Sequence, residues 1–192
     1  MKKNLIKIQG MGNRIMKLRE IKKEDKDEIL KIYDEYINAE LTKGIDRFEG
    51  IRNFEHLGNM NFEEWYQELE NNKNKDKISN GYSTQTTYLV IDNNVIIGVL
   101  NARWEKVMTL MLFGGLIGYS IRPKYRGKGY ANEMLKLGLE KFKENNINEI
   151  PISCKDFNIA SKKVIEKNNG IFERQYYNED EGYNYLIYKI KV

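Results

Sequence analysis

GYSIRPKYRGKGYA, residues 118–131, runs from an apolar strand through a proline stop into a basic, glycine-rich loop and the start of a helix. Such a loop turns several backbone N–H groups toward one point at a helix N-terminus, where unpaired donors and the helix dipole both favour an anion. Arg126 and Lys128, with Arg122 as a third candidate, add positive charge. Gly127 and Gly129 remove side chains that would obstruct close approach. This composition suits a phosphate or pyrophosphate cradle. Many glycine-rich connections are only solvated strand-to-helix turns, so spacing and context must separate the two.

Three phosphate-loop classes can be compared. A P-loop needs Gly, four residues, then Gly-Lys and Ser or Thr, and the chain has no such run. A dinucleotide fingerprint needs a third glycine where Asn132 stands and an acid ending the next strand, whereas Glu149 stands at the start of that strand rather than its end. The third pattern is Arg or Gln, two residues, Gly, one residue, then Gly or Ala, and Arg126, Gly129 and Ala131 satisfy it. This is the pyrophosphate-loop motif of the GNAT N-acetyltransferase superfamily, and the chain resembles that family here. Placement after a strand ending Ile121-Arg122-Pro123 makes a short motif much more specific.

The sequence downstream extends the resemblance. Ala131, Met134, Leu135, Gly138, Leu139 and Phe142 fall on one helical face, and Asn145-Asn146 end that helix. Glu149 to Cys154 is expected to form a short buried strand. A second helix follows from Asn158 to Lys167, closed by Asn168-Asn169-Gly170, and Ile171-Phe172-Glu173 opens another strand. The segment is similar to the Asn-x-x-Ser-x-x-Val-x-Glu-Lys run of the ribosomal-protein and polyamine acetyltransferase branches. Asn158 and Ser161 share a helix face and can meet one ligand, while Asn158 serves equally as an N-cap.

Upstream, Met16 to Ile21 with Glu24-Asp25 resembles the family's first strand and helix start. Ile29, Leu30, Tyr33 and Ile37 recur at helical spacing, and Phe62 to Leu69 forms another amphipathic helix. Between them, Leu41 to Met60 has no clear period, and a loop that long is usually functional or disordered. Asn71 to Asn80 is a polar connection. Asp92-Asn93-Asn94 separates two apolar runs and signals a hairpin, and Tyr183 to Ile190 closes the chain as an alternating strand.

The chain's 192 residues can bury a full core, and no linker divides them, so residues 16–192 are read as one domain. Residues 1–15 match nothing in the family's pattern and are read as an extension, either disordered or reflecting a misplaced start with Met11 and Met16 as alternatives. No run approaches membrane-spanning length and Met1-Lys2-Lys3 opens no signal peptide, which points to the cytoplasm. One cysteine excludes an intramolecular disulfide and any cysteine-rich metal site. The net charge of +4 is spread over interspersed Lys and Glu, without the clustered basic helix or aromatic motif of a nucleic-acid binder.

The resemblance implies an α/β (α+β) fold with a mixed, mostly antiparallel central sheet flanked by helices, its fourth and fifth strands splayed near a bulge. Those strands are Leu116 to Ile121 and Ile150 to Cys154. It implies acetyl-CoA as cosubstrate. The pantetheine arm pairs with fourth-strand backbone at Ser120 and Ile121, the pyrophosphate rests on Arg126, Gly127, Lys128, Gly129, Tyr130 and Ala131, and Asn158 and Ser161 add contacts. The acceptor is a primary amine of a small metabolite or a peptide N-terminus. No metal is required, no nucleic-acid or membrane partner is implied, and homodimers are common in the family.

The resemblance leaves the acid and base unassigned. Where many members carry a proton-donating Tyr this chain has Ile165, and where many carry Glu or His on the fourth strand it has Leu116. Glu105, Tyr119 and Tyr185 are substitute candidates. These two departures motivate the alternative of a non-catalytic CoA-binding module. His56, the only histidine, sits in the irregular segment and suits a surface role. Cys154 suits a small core position near the expected thioester, and the tyrosines of residues 176–188 suit half-buried strand positions.

Overall fold

A computed structural model of the chain describes residues 15–40, 48, 50–51 and 53–192. The extension read for residues 1–15 lies outside the described residues except for Ile15, and so do positions 41–47, 49 and 52 of the irregular segment. In chain order the elements are β1 (Met16–Glu20), α1 (Lys26–Glu40), α2 (Asn53–His56), α3 (Phe62–Asn71), β2 (Gln85–Asp92), β3 (Val95–Arg103) and β4 (Ile117–Ile121). They continue with α4 (Tyr130–Glu144), β5 (Glu149–Lys155), α5 (Ile159–Lys167), β6 (Ile171–Asn178) and β7 (Tyr183–Lys191).

Two antiparallel sheets result, one ordered β1-β2-β3-β4 and the other β5-β7-β6. Strands β2 and β3 are buried on both faces, because helices cover each side. On one face Ile29, Ile32 and Tyr36 of α1 and Trp65 and Leu69 of α3 meet Leu89, Ile91 and Val99. On the other, Met134, Leu135, Leu139 and Phe142 of α4 and Ile165 of α5 meet Val90, Ile97, Leu100 and Ile117. Ile97 is the extra residue of a bulge, since Val90 pairs with Gly98 and Ile91 with Ile96. The β2–β3 hairpin turns through Asn93 and Asn94, at φ 46° and 65°. Two successive left-handed residues match the twist of the strands, and Asn tolerates them better than most side chains.

The two sheets meet at one place. Gly115 bridges Ile152, and Leu116 N donates to the Pro151 carbonyl at 2.8 Å. Past that point no β4–β5 ladder forms among the described residues, so the expected splay is present. The bulge is not in β4, whose ladder to β3 is regular; the register shifts lie in the β2–β3 and β6–β7 pairs. The half-buried placement expected of the late tyrosines holds for Tyr183 and Tyr185, whereas Tyr177 of the edge strand β6 is 55% exposed and Tyr188 is buried.

Gly50 lies against the backbone of β4. A Cβ at Gly118 would overlap the Gly50 carbonyl oxygen, and one at Gly50 would lie 2.7 Å from Tyr119 N. Two glycines thus allow two backbones to touch where a side chain on either would separate them. The contact brings Gly50 to the rim of the β4–β5 opening.

Candidate active site

Pro123–Tyr125 form a single 3-10 turn after β4, and Arg126 returns the chain to an extended conformation. Gly127 and Gly129 then take φ values of 74° and 81°, which L side chains rarely adopt, and open space surrounds the position a Cβ would occupy at each. Gly129 is the N-cap of α4, and no side chain caps that end of the helix. Gly129 offers no side-chain oxygen to the first N–H groups of α4, and Gly129, Tyr130 and Ala131 line the opening, so the helix start is a favourable site for an anion. Tyr130 fixes the helix start by donating to the buried carboxylate of Asp92 at 3.1 Å. These features fit a pyrophosphate.

A cavity of about 790 Å³ runs from this loop into the β4–β5 opening. Ser120, Ile121, Arg126, Gly127, Gly129, Tyr130, Ala131, Asn158 and Ser161 all line it. Lys128 does not, and its ammonium lies 5.7 Å from the Tyr125 ring centre. Asn158 caps α5, its Oδ1 accepting from Ser161 N at 3.0 Å. The Ser161 hydroxyl is 2.9 Å from the Tyr119 phenol, which ties α5 to β4 across the cavity.

Arg122 departs from expectation. Its side chain is 3% exposed and turned away from the loop, toward α1. Nε and Nη2 donate to the two carboxylate oxygens of Glu35 at 2.8 and 2.6 Å, and Nη1 donates to Glu28 at 3.1 Å and to the Ile96 carbonyl at 2.8 Å. Lys124 also reaches Glu35, at 2.7 Å. The Arg122 guanidinium holds the Glu35 carboxyl below its ordinary 4.5; burial opposes this and Lys124 assists. A carboxyl depressed in the fold stabilises it above the unfolded value and loses that contribution as pH falls through the lower folded value. Acidification from about pH 6 to pH 3 is therefore expected to lower Tm less in Glu35→Gln than in wild type, as thermal melts across that interval would record.

The second wall of the cavity lies on the opposite face of the β5-β7-β6 sheet from α5. The register places Lys155, Tyr185 and Tyr176 on that face, and Leu110, Phe113, Asn178 and Glu181 join it around the cavity. Leu110–Gly114 form one π-helical turn pinned to the sheet. Ser153 donates to the Gly114 carbonyl at 3.1 Å, Arg174 to the Met111 carbonyl at 2.7 Å, and the Phe113 ring packs 4.5 Å from Tyr176. Of this wall the sequence offered the closing strand with Tyr185; the turn Leu110–Gly114 was missed, its trace being the apolar run Leu110-Met111-Leu112-Phe113 before two glycines.

The acid–base candidates separate clearly. Tyr119 and Tyr185 line the cavity, and Tyr185 donates to Glu181 at 2.8 Å. Glu105 lies outside it, bound by the Ser83 and Thr84 hydroxyls at 2.7 and 2.8 Å. Burial works against the Glu105 charge, yet these bonds hold its carboxyl below the ordinary range, which suits a structural anchor. Leu116 and Ile165 are fully buried core residues. His56 pairs with Glu68 at 2.7 Å, and this half-exposed pair is on α2 and α3, away from the cavity lining. Cys154 is buried at the cavity wall. Among the described residues no group of His, Cys, Asp and Glu could hold a metal ion, and no helix is long and apolar enough to cross a membrane.

Comparison with known proteins bears on the fold and the family. The Bacillus subtilis (strain 168) protein described as "Uncharacterized N-acetyltransferase YnaD" is 42% identical over 52 residues, 27% of this chain and under a third of that protein, 31%. Among solved structures, the ribosomal L7/L12 α-N-protein acetyltransferase RimL in complex with coenzyme A superposes with a TM-score of 0.65 at 16% identity, covering 92% of this chain and 94% of that one. A chimera of the spermidine N-acetyltransferase SpeG from Vibrio cholerae with hSSAT gives 0.60 at 15% identity, covering 92% and 94%. These two likenesses are of fold. The profile of the acetyltransferase (GNAT) domain matches residues 16–170, and on that match the chain belongs to the GNAT family and is an acetyltransferase.

Proposed function

We propose that the protein transfers an acetyl group from acetyl-CoA to a primary amine, of a small metabolite or a peptide N-terminus, with both substrates bound together. The observation that carries this reading is the continuity of one cavity from the uncapped start of α4 to the β4–β5 opening. Acetyl-CoA would supply the acetyl group as a thioester, activated toward a neutral amine.

The residues divide the work between the two walls. Arg126 to Ala131 would hold the pyrophosphate, backbone at Ser120 and Ile121 would take the pantetheine arm, and Asn158 and Ser161 would fix it from α5. The amine would enter past Phe113, Tyr185 and Glu181, so that the reacting groups meet between the strands. Catalysis then rests on orientation and on removal of one proton from the amine. The groups in the cavity able to accept or pass that proton include the Tyr185–Glu181 pair and the Tyr119 hydroxyl. Cys154, buried and in no disulfide, suits a compartment that keeps thiols reduced, and we place the reaction in the cytoplasm.

The core placement of Leu116 and Ile165 favours one rival, a module that binds CoA without turnover. Thiol release from acetyl-CoA separates the two, measured with a panel containing a polyamine, amino acids, aromatic monoamines and peptides with free N-termini. Release with one of these classes is the expected result. Tight acetyl-CoA binding with no release across the panel would favour the module.

A further inference from the structure

Arg122 is spent on contacts that no anion could share, and those contacts converge on the loop from behind. Its backbone N donates to the Ile97 carbonyl at 2.9 Å, and its guanidinium caps the Ile96 carbonyl, so both ends of the residue are fastened to β3. The paired bonds to Glu35 fix the plane of the guanidinium as well as its distance from α1. From there a chain of contacts reaches the loop. Tyr125 N donates to the Arg122 carbonyl and Arg126 N to that of Pro123. The guanidinium lies 5.8 Å from the Tyr125 ring centre, and that ring meets Tyr130, the first residue of α4, edge-on at 6.1 Å.

We propose that Arg122 is a positioning residue: clamped by Glu28 and Glu35 of α1, it sets the turn Pro123–Tyr125 and thereby the direction in which Arg126–Ala131 present their N–H groups. A buried ion pair adds little net stability, because desolvation offsets attraction. What it supplies here is orientation, at the one point where β3, β4, α1 and the loop converge. Glu35 pairs with Lys124 as well, so both basic residues at the start of the turn are held against α1. The inference rests on the cofactor reading only for its functional consequence.

The test combines amide hydrogen exchange of the ligand-free protein with calorimetric titration by acetyl-CoA, on wild type, Glu35→Gln and Arg122→Lys. Glu35→Gln is expected to speed exchange across residues 123–131 by roughly tenfold, to leave β5 and α5 unchanged, and to raise the Kd by roughly tenfold. Arg122→Lys keeps the charge but loses the paired geometry, so the same loosening is expected. Unchanged loop exchange, or a rise spread evenly over the whole chain, would overturn the proposal, as would an unaltered Kd. A wild type that binds no acetyl-CoA would instead defeat the cofactor reading, while the exchange experiment still decides the clamp.

Discussion

Gly118→Val is expected to cost about 3 kcal/mol of stability and lower Tm by about 10 °C. The Gly50 carbonyl occupies the space a Cβ would need, and the obstruction is backbone, which cannot rotate away. Relief requires Gly50 to lift off β4, and Gly50 lines the cavity, so the damage reaches the cavity as well. Calorimetric melting gives the first number. The expected functional counterpart is a larger rise in KM for the amine than in Kd for acetyl-CoA, since Gly50 lies against Tyr119 while Arg126–Ala131, Asn158 and Ser161 would still hold the cofactor. A variant as stable as wild type would mean that the two glycines do not touch.

Gly129→Glu is expected to weaken acetyl-CoA binding by at least about a hundredfold, close to 3 kcal/mol. Three effects add. The side chain would enter the open space in front of the loop, its carboxylate would face the pyrophosphate, and its backbone would have to hold a φ of 81°. Gly81→Glu isolates the last effect, because Gly81 has a φ of 86°, open surroundings and no place in the cavity lining. That control should leave the Kd unchanged. Equal losses in both variants would assign the effect to backbone strain alone.

The parts of the fold written in local chemistry were legible in the sequence. Asn93-Asn94 specified their own turn, Asn158 its own cap, and the apolar stripe of α4 its own buried face. The loop was legible for the same reason: Gly127 and Gly129 take the left-handed conformation that glycine alone adopts freely, and nine of the ten residues expected around the cofactor line the cavity.

What escaped was set by contacts distant in sequence. Arg122 looked like one more cation beside the loop, yet its partners on α1 lie 87 and 94 residues earlier in the chain. Glu105 was an acid–base candidate in the sequence, yet Ser83 and Thr84 bind it from 22 and 21 residues away. The turn before β4 is the clearest case. Leu110–Gly114 form a π-helical turn with no periodicity to announce it, held by Ser153 and Arg174 from another sheet. No local pattern encodes which strand such a turn will land on.

Calorimetric titration of the wild-type protein with acetyl-CoA tests the central claim most directly. A single site of micromolar affinity is predicted, with slowed amide exchange at Arg126–Ala131 and along β4. A folded protein that takes up no acetyl-CoA and gains no protection in the loop would contradict the account, leaving residues 118–131 as an ordinary strand-to-helix turn.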